Sequence, residues 1–196
     1  MQIAILGGGA MGAPLAAILR AAGRQVDSLG RSDDPAPAIS KAETVVMALK
    51  YEQALAFVRR PGMAGALAGK VVIDITNPLA QDFMSLTIGH ETSAGEELAR
   101  ALPGAHVIKA FNTIFASVLA DHAAGKRCTL PVFIAGDDEG AVDKVAGLVS
   151  ETGLQAIRAG ALSNSRYLEP MTELMIQFGY GLGHGDRIGF SLRAAA

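Results

Sequence analysis

Short apolar runs alternate with segments of helical period along most of the chain. "QIAIL" (2–6) is the first apolar run, followed by glycines and then by "GAPLAAILRAAG" (12–23), which has helical spacing and closes on Gly23. "RQVDSLG" (24–30), "TVVMAL" (44–49), "KVVIDIT" (70–76), "HVIKAF" (106–111) and "PVFIAG" (131–136) predict five more strands. Near-continuous Val/Ile/Leu runs suit parallel strands buried on both faces. Helices are expected at about 51–60, 94–102, 113–124 and 138–152. Ser93 with Glu96 forms a capping box for the second of these. "LQAIRAG" (154–160) predicts a short edge strand. The pattern is that of a doubly wound, Rossmann-type, mostly parallel α/β sheet.

Two departures from that pattern carry information. Only "DDPAPAISKAE" (33–43) separates the second strand from the third. A helix, a strand and another helix do not fit, since each crossover needs about 10–12 residues. The usual third strand should therefore be missing, and the second strand should become a sheet edge. Pro35 and Pro37 suit a stiff extended link there. After about residue 163, Leu168, Met171, Leu174, Met175 and Phe178 recur at helical spacing. They predict a long C-terminal helix, interrupted near Gly179–Gly185, and then a short apolar tail. The segment 165–196 extends a single domain spanning 1–196 rather than forming a second one. Its apolar content suits core or homodimer packing, because Met fills irregular gaps well.

Composition narrows the classes. Half the 196 residues are hydrophobic and 18% are charged, so the chain can bury a sizeable core. A net charge of −2 without a basic run gives nucleic acid and anionic membrane no electrostatic footprint. Residues 1–19 carry no charge, yet they lack a basic leader region and are broken by four glycines. Nor does any later stretch reach 18 apolar residues. The lone Cys128 fits a reducing compartment, and the expected location is the cytoplasm. No paired-cysteine or H-E-x-x-H pattern suggests a metal.

The candidate chemistry begins at Gly7-Gly8-Gly9-Ala10-Met11-Gly12, a G-x-G-x-x-G between a strand and a helix. Gly7 allows the turn, Gly9 lets backbone approach a pyrophosphate, and Gly12 lets helix and strand pack closely. Exposed N–H groups at the helix start, together with Ala10 and Met11, would hold the phosphates. The tip of the second strand reads Gly30-Arg31-Ser32. An acid there would hold a ribose 2′-OH and repel a 2′-phosphate; a planar cation and a hydroxyl suit NADP instead. Asp33 and Asp34 keep NAD open, although their place after the strand and before Pro35 puts them in a solvated link. Asn112, in "IKAFNTI", and Asn77-Pro78, in "DITNPL", fall at strand ends on the ligand side of such a sheet. Asn112 reads equally as a helix N-cap, and Asn77-Pro78 as a turn.

The stretches "ILGGGAMG", "LGRS", "VVIDITNPL", "VIKAFNT" and "SRYLEPM" together resemble the coenzyme F420-dependent NADP oxidoreductases and a short bacterial subgroup of their relatives. The ferric reductase domains of the STEAP proteins are similar too. The resemblance implies that Gly7 to Gly12 hold the diphosphate and that Arg31 and Ser32 hold the 2′-phosphate. It also implies that the strand ends around Ala48-Leu49, Asn77 and Ala110–Asn112 surround the nicotinamide, and Lys50 and Pro78, next to them in sequence, join the candidate cofactor contacts. The acceptor it implies is a flavin or deazaflavin such as F420. The chain departs from the family at Lys50, where the family often has Pro.

No Tyr-x-x-x-Lys pair is present. His90, in "TIGHETS", would lie in a loop that either overhangs the site or is simply solvated. Hydride transfer to a flavin-type ring needs alignment more than a protein acid. A carbonyl or imine substrate would need a proton from His90 or Lys50. The leading expectation is thus NADPH-linked reduction of a flavin-type acceptor. Its alternatives are a reductase of a small carbonyl or imine, and a nonenzymatic NADP(H)-sensing module.

Overall fold

The computed structural model describes residues 1–195. Ala196, the last residue of the expected C-terminal segment, lies outside them. Seven strands form one sheet: β1 Gln2–Leu6, β2 Gln25–Leu29, β3 Thr44–Met47, β4 Val71–Asp74, β5 His106–Lys109, β6 Pro131–Gly136 and β7 Gln155–Arg158. Their order is β2-β1-β3-β4-β5-β6-β7, with β2 at one edge. The first five strands are parallel. β6 runs antiparallel to β5, and β7 parallel to β6. The reversal of β6 was not legible, because a continuous apolar run reports burial on both faces and not direction.

Residues alternate strictly across the sheet. On one face Ile3, Ile5, Val46 and Ile108 pack under α1 (Gly12–Ala21), α6 (Ala116–Ala123) and α7 (Glu139–Glu151). On the other, Ala4, Leu6, Val45 and Val72 pack under α2 (Ala36–Lys41), α3 (Tyr51–Val58), α4 (Met63–Leu67) and α5 (Ala94–Ala101). The Ser93 cap of α5 is present: its Oγ accepts the Glu96 N–H at 3.2 Å and donates to the Glu96 carboxylate at 2.8 Å.

Several expected boundaries move. The link after β2 is not extended, since α2 occupies it. Pro35 caps α2 and Pro37 sits in its first turn, where a missing N–H costs nothing. Ala38 and Ile39 then bury against the sheet. α3 stops at Val58, and α4 follows as an extra turn and a half. α6 begins at Ala116, not at 113, because the chain first makes an irregular turn through Phe111 at φ +61°. The C-terminal helix is α8 (Ser165–Ile176), continued by one π-helical turn over Gln177–Gly181.

Candidate functional site

The strand order reverses at β1, which lies between β2 and β3. In open α/β sheets a crevice forms at the carboxyl ends of such strands. Gly7 leaves β1 there with φ +111°, donating its N–H to the Leu29 carbonyl at 2.9 Å. A side chain on Gly7 would collide with the Ala48 carbonyl oxygen, and one on Gly12 with the Gly7 carbonyl. These two glycines close the loop tightly against β3 and α1. Gly8, Gly9 and Ala10 are exposed at its rim, and a Cβ on Gly9 would meet nothing within 4 Å. No side chain caps the start of α1 and no acid stands in its first turn. The cradle thus presents free N–H groups and partial positive charge, which fits a diphosphate.

At the tip of β2, Gly30, Arg31 and Ser32 are exposed. Among the described residues Arg31 has no ion-pair partner. Asp33 does not point into the solvated link as expected. Its Oδ2 folds back and accepts the Gly30 N–H at 2.7 Å. Asp34 does belong to the link, accepting the Ala36 N–H at 3.0 Å.

The opposite wall is built by two polar layers that the sequence alone did not reveal as layers. In the upper one, the buried Asn112 amide donates to Asn77 Oδ1 at 3.0 Å, the Leu168 carbonyl at 3.1 Å and Thr172 Oγ1 at 3.2 Å. Asn77 Nδ2 returns a hydrogen bond to the Asn112 carbonyl at 3.1 Å. Asn112 therefore caps no helix: Phe115 holds the N-cap place of α6. Asn112 Oδ1 is buried without a partner, whereas Asn77 is only half-buried. Pro78 and Ala110 are buried beside them, and the Ala110 N–H is held by the Asp74 carbonyl.

In the lower layer, Lys109 Nζ lies 2.6 Å from Asp74 Oδ2, 2.7 Å from Glu169 Oε1 and 2.8 Å from the Thr76 carbonyl. All three ionic side chains are almost completely buried. Burial alone would lower the Lys109 pKa, but the two carboxylates outweigh it and hold the ammonium above its ordinary value. Glu169 also accepts the Ala94 and Gly95 N–H groups at the start of α5, at 2.9 and 3.1 Å. Arg166 adds a bidentate pair to Glu96, which pulls that carboxyl below its usual range. Together these contacts pin α8 to the carboxyl edge of β4 and β5. Sequence reasoning assigned Lys109, Asp74 and Glu169 no role. One signal was available: Asp74 and Lys109 are lone charges in apolar strands, and they are register partners.

Residues 78–92, here the roof loop, follow the carboxyl end of β4 and touch both Lys50 and the end of α8. The loop folds on itself through a Leu79–Leu86 bridge and through the Thr87 N–H to the Pro78 carbonyl at 2.7 Å. Gln177, at the end of α8, donates to the Met84 carbonyl at 2.9 Å. On the other side, Lys50 Nζ lies 5.4 Å from the centre of the Phe83 ring. His90 sits in this loop at φ +61°, exposed, and no hydrogen bond or ion pair joins it to the other expected residues. Ala48 and Leu49 stand half-buried at the end of β3, against the glycine loop. Among the described residues no group of three or more His, Cys, Asp or Glu could hold a metal, and no helix is long and apolar enough to cross a membrane.

No protein-family model matches the chain. Individual relatives do. An F420-dependent NADP reductase of Methanothermobacter marburgensis is 30% identical over 208 residues, spanning 90% of this chain and 91% of that protein. The Rattus norvegicus metalloreductase STEAP3 is 30% identical over 132 residues, covering 67% of this chain but 25% of that protein. A crystal structure from Arthrobacter sp. fb24, provisionally assigned as an F420-dependent NADP-reductase, superposes with a TM-score of 0.86 at 28% identity, over 99% of this chain and 100% of that one. Matching the first of these relatives at 30% identity across nine-tenths of both chains, the chain belongs to the F420-dependent NADP reductase family.

Proposed function

We propose that the protein is an NADPH-dependent oxidoreductase that passes hydride between NADP(H) and a flavin or deazaflavin of the F420 type. The observation that carries this is the uncapped glycine cradle at the switch point, flanked by the unpaired Arg31 guanidinium at the tip of an edge strand. The N–H groups of Gly9 to Gly12 bind the diphosphate. Arg31 and Ser32 bind the 2′-phosphate, which the edge position of β2 leaves open to solvent. Asn77, fixed by Asn112, orients the carboxamide end of the cofactor from the far wall.

NADPH supplies the hydride. The protein's part is to align the two rings and exclude water. The ionisable groups of the far wall suit that division of labour. Lys109, Asp74 and Glu169 satisfy one another and are sealed from the crevice, so they serve as a brace and not as an acid–base pair. A ring acceptor can take its remaining proton from solvent, whereas a carbonyl reductase must position a donor. Two titrations and one panel test the proposal. NADPH should bind more tightly than NADH, and flavins or F420 should oxidise bound NADPH. Turnover with aldehydes, ketones or imines but with no ring acceptor would overturn it, as would tight NADPH binding with no turnover at all.

A further inference from the structure

The roof loop and the turn between β3 and α3 meet at one pair of side chains. Lys50 is the residue just before α3, two positions past the Ala48 carbonyl that Gly7 packs against. Its ammonium lies over the Phe83 ring of the loop after β4, 5.4 Å from the centroid. Among the described residues no carboxylate lies within 4.0 Å of it. Glu52 is close to Lys50 in sequence, and Asp82 adjoins Phe83. Glu52 belongs to the first turn of α3, and Asp82 spends Oδ1 on the Met84 N–H at 3.0 Å. Lys50 is therefore a cation balanced only by an aromatic face, an exposed and modest interaction.

Phe83 is equally unusual. It is 49% exposed, although burial would normally claim a phenylalanine. Its backbone sits at φ +60°, a strained value for a residue with a side chain. The loop holds it there: the Phe83 N–H donates to the Ala80 carbonyl at 3.0 Å, and the Ala80 N–H to the Ser85 carbonyl at 2.8 Å. Met84, the next residue, is tied to Gln177. The strained, exposed ring is thus built into the loop beside Lys50.

We propose that Lys50 and Phe83 form the landing platform of the hydride acceptor, Phe83 stacking on its ring and Lys50 receiving its anionic tail. The inference rests on the ring-acceptor function proposed above. Phe83 offers a π-face for stacking, and Lys50 offers the charge that receives the tail. The cofactor diphosphate already has the N–H groups of the cradle, and the Lys50 side chain reaches away from them toward the roof. An anionic acceptor approaching an anionic cofactor also gains from a cation at their boundary.

Flavin fluorescence titrations on the protein saturated with NADP+ test the assignment without requiring turnover. FMN and riboflavin share a ring and differ by a phosphate; F420 carries an anionic tail on a related ring. FMN should bind roughly tenfold more tightly than riboflavin, the scale of one charge-assisted hydrogen bond. In Lys50→Met that difference should collapse. Phe83→Ala and Phe83→Leu should each weaken all three ligands by about tenfold, the scale of one lost stacking contact. Equal binding of FMN and riboflavin by the unaltered protein would overturn the platform. So would a loss of NADP+ affinity in Lys50→Met as large as its loss of FMN affinity, which would return Lys50 to the cofactor. Failure of the function itself would look different: flavins would bind as described, yet none would oxidise NADPH.

Discussion

Asn112 and Asn77 grip one another across the carboxyl ends of β5 and β4, each donating an amide hydrogen bond to the other, at 3.0 and 3.1 Å. Asn112 is buried and also holds α8, while Asn77 is only half-buried at the end of β4. The two should therefore fail differently. Asn112→Ala removes the buried amide hydrogen bonds to Asn77, Leu168 and Thr172, and it should lower stability by about 1–3 kcal/mol. Asn77→Ala should leave the melting temperature nearly unchanged. Its turnover should fall by something like 10- to 100-fold, if one oriented hydrogen bond worth about 1.4–2.8 kcal/mol is lost in the transition state. Thermal melts and steady-state rates on both variants check this. A stable Asn112→Ala with normal turnover would remove the pair from the site.

The tip of β2 makes a prediction of opposite signs. Arg31→Ala should lose roughly 10- to 150-fold in NADPH affinity and little for NADH, the span of about 1.5–3 kcal/mol for a charged hydrogen bond. Asp33 acts against Arg31. Its carboxylate occupies the Gly30 N–H and places a negative charge where a 2′-phosphate would arrive. Asp33→Asn should therefore tighten NADPH and widen its preference over NADH. Calorimetric titration of both cofactors measures the ratio; an unchanged ratio in Asp33→Asn means the carboxylate is a turn-former only.

Lys109 supports two buried carboxylates, and removing it leaves both uncompensated. Lys109→Met should destabilise the protein by about 3–5 kcal/mol, as breaking a buried pair does. Its pKa is raised in the folded state, so this stability is present below the ordinary lysine value and is lost only as pH rises through the folded one. Denaturant melts at about pH 6 and about pH 9, both below the usual lysine range near 10.4, should show the deficit at both and no smaller at the higher pH, where the uncompensated carboxylates stay charged. A deficit that vanished at the higher pH would contradict the assignment.

The doubly wound pattern, the glycine loop and the basic strand tip could be read from sequence because each depends on local periodicity or adjacent residues. The far wall was only half legible. Asn77 and Asn112 stood out at strand ends, but their partners Leu168 and Thr172 come from more than 50 positions away. Glu169 was hidden for the same reason, inside a helix that looked merely amphipathic. The prolines of the link misled because Pro35 and Pro37 suit a helix's first turn as well as an extended chain. The roof loop has no periodicity, so Phe83 could not be placed opposite Lys50.

The C-terminal segment bears on assembly. Tyr167, Leu174, Tyr180, Leu182 and Leu192 are between 48% and 73% exposed, while Leu168 and Met175 turn into the chain's own core. We propose that the exposed set packs against a second copy in a two-fold homodimer. Sedimentation at micromolar concentration should show a dimer, and Leu182→Glu with Leu192→Glu should dissociate it. A monomer before substitution would contradict the proposal.

The central claim, direct hydride transfer from NADPH to a flavin-type ring, is tested most directly with deuterium. NADPH deuterated at the transferred position of C4 would be mixed in stopped flow with oxidised F420, whose ring carbon retains a transferred hydrogen. The account predicts loss of NADPH absorbance, a normal primary isotope effect on that step and deuterium recovered in the reduced deazaflavin. NADPH oxidised without label in the ring, or F420 left oxidised beside bound NADPH, would contradict it.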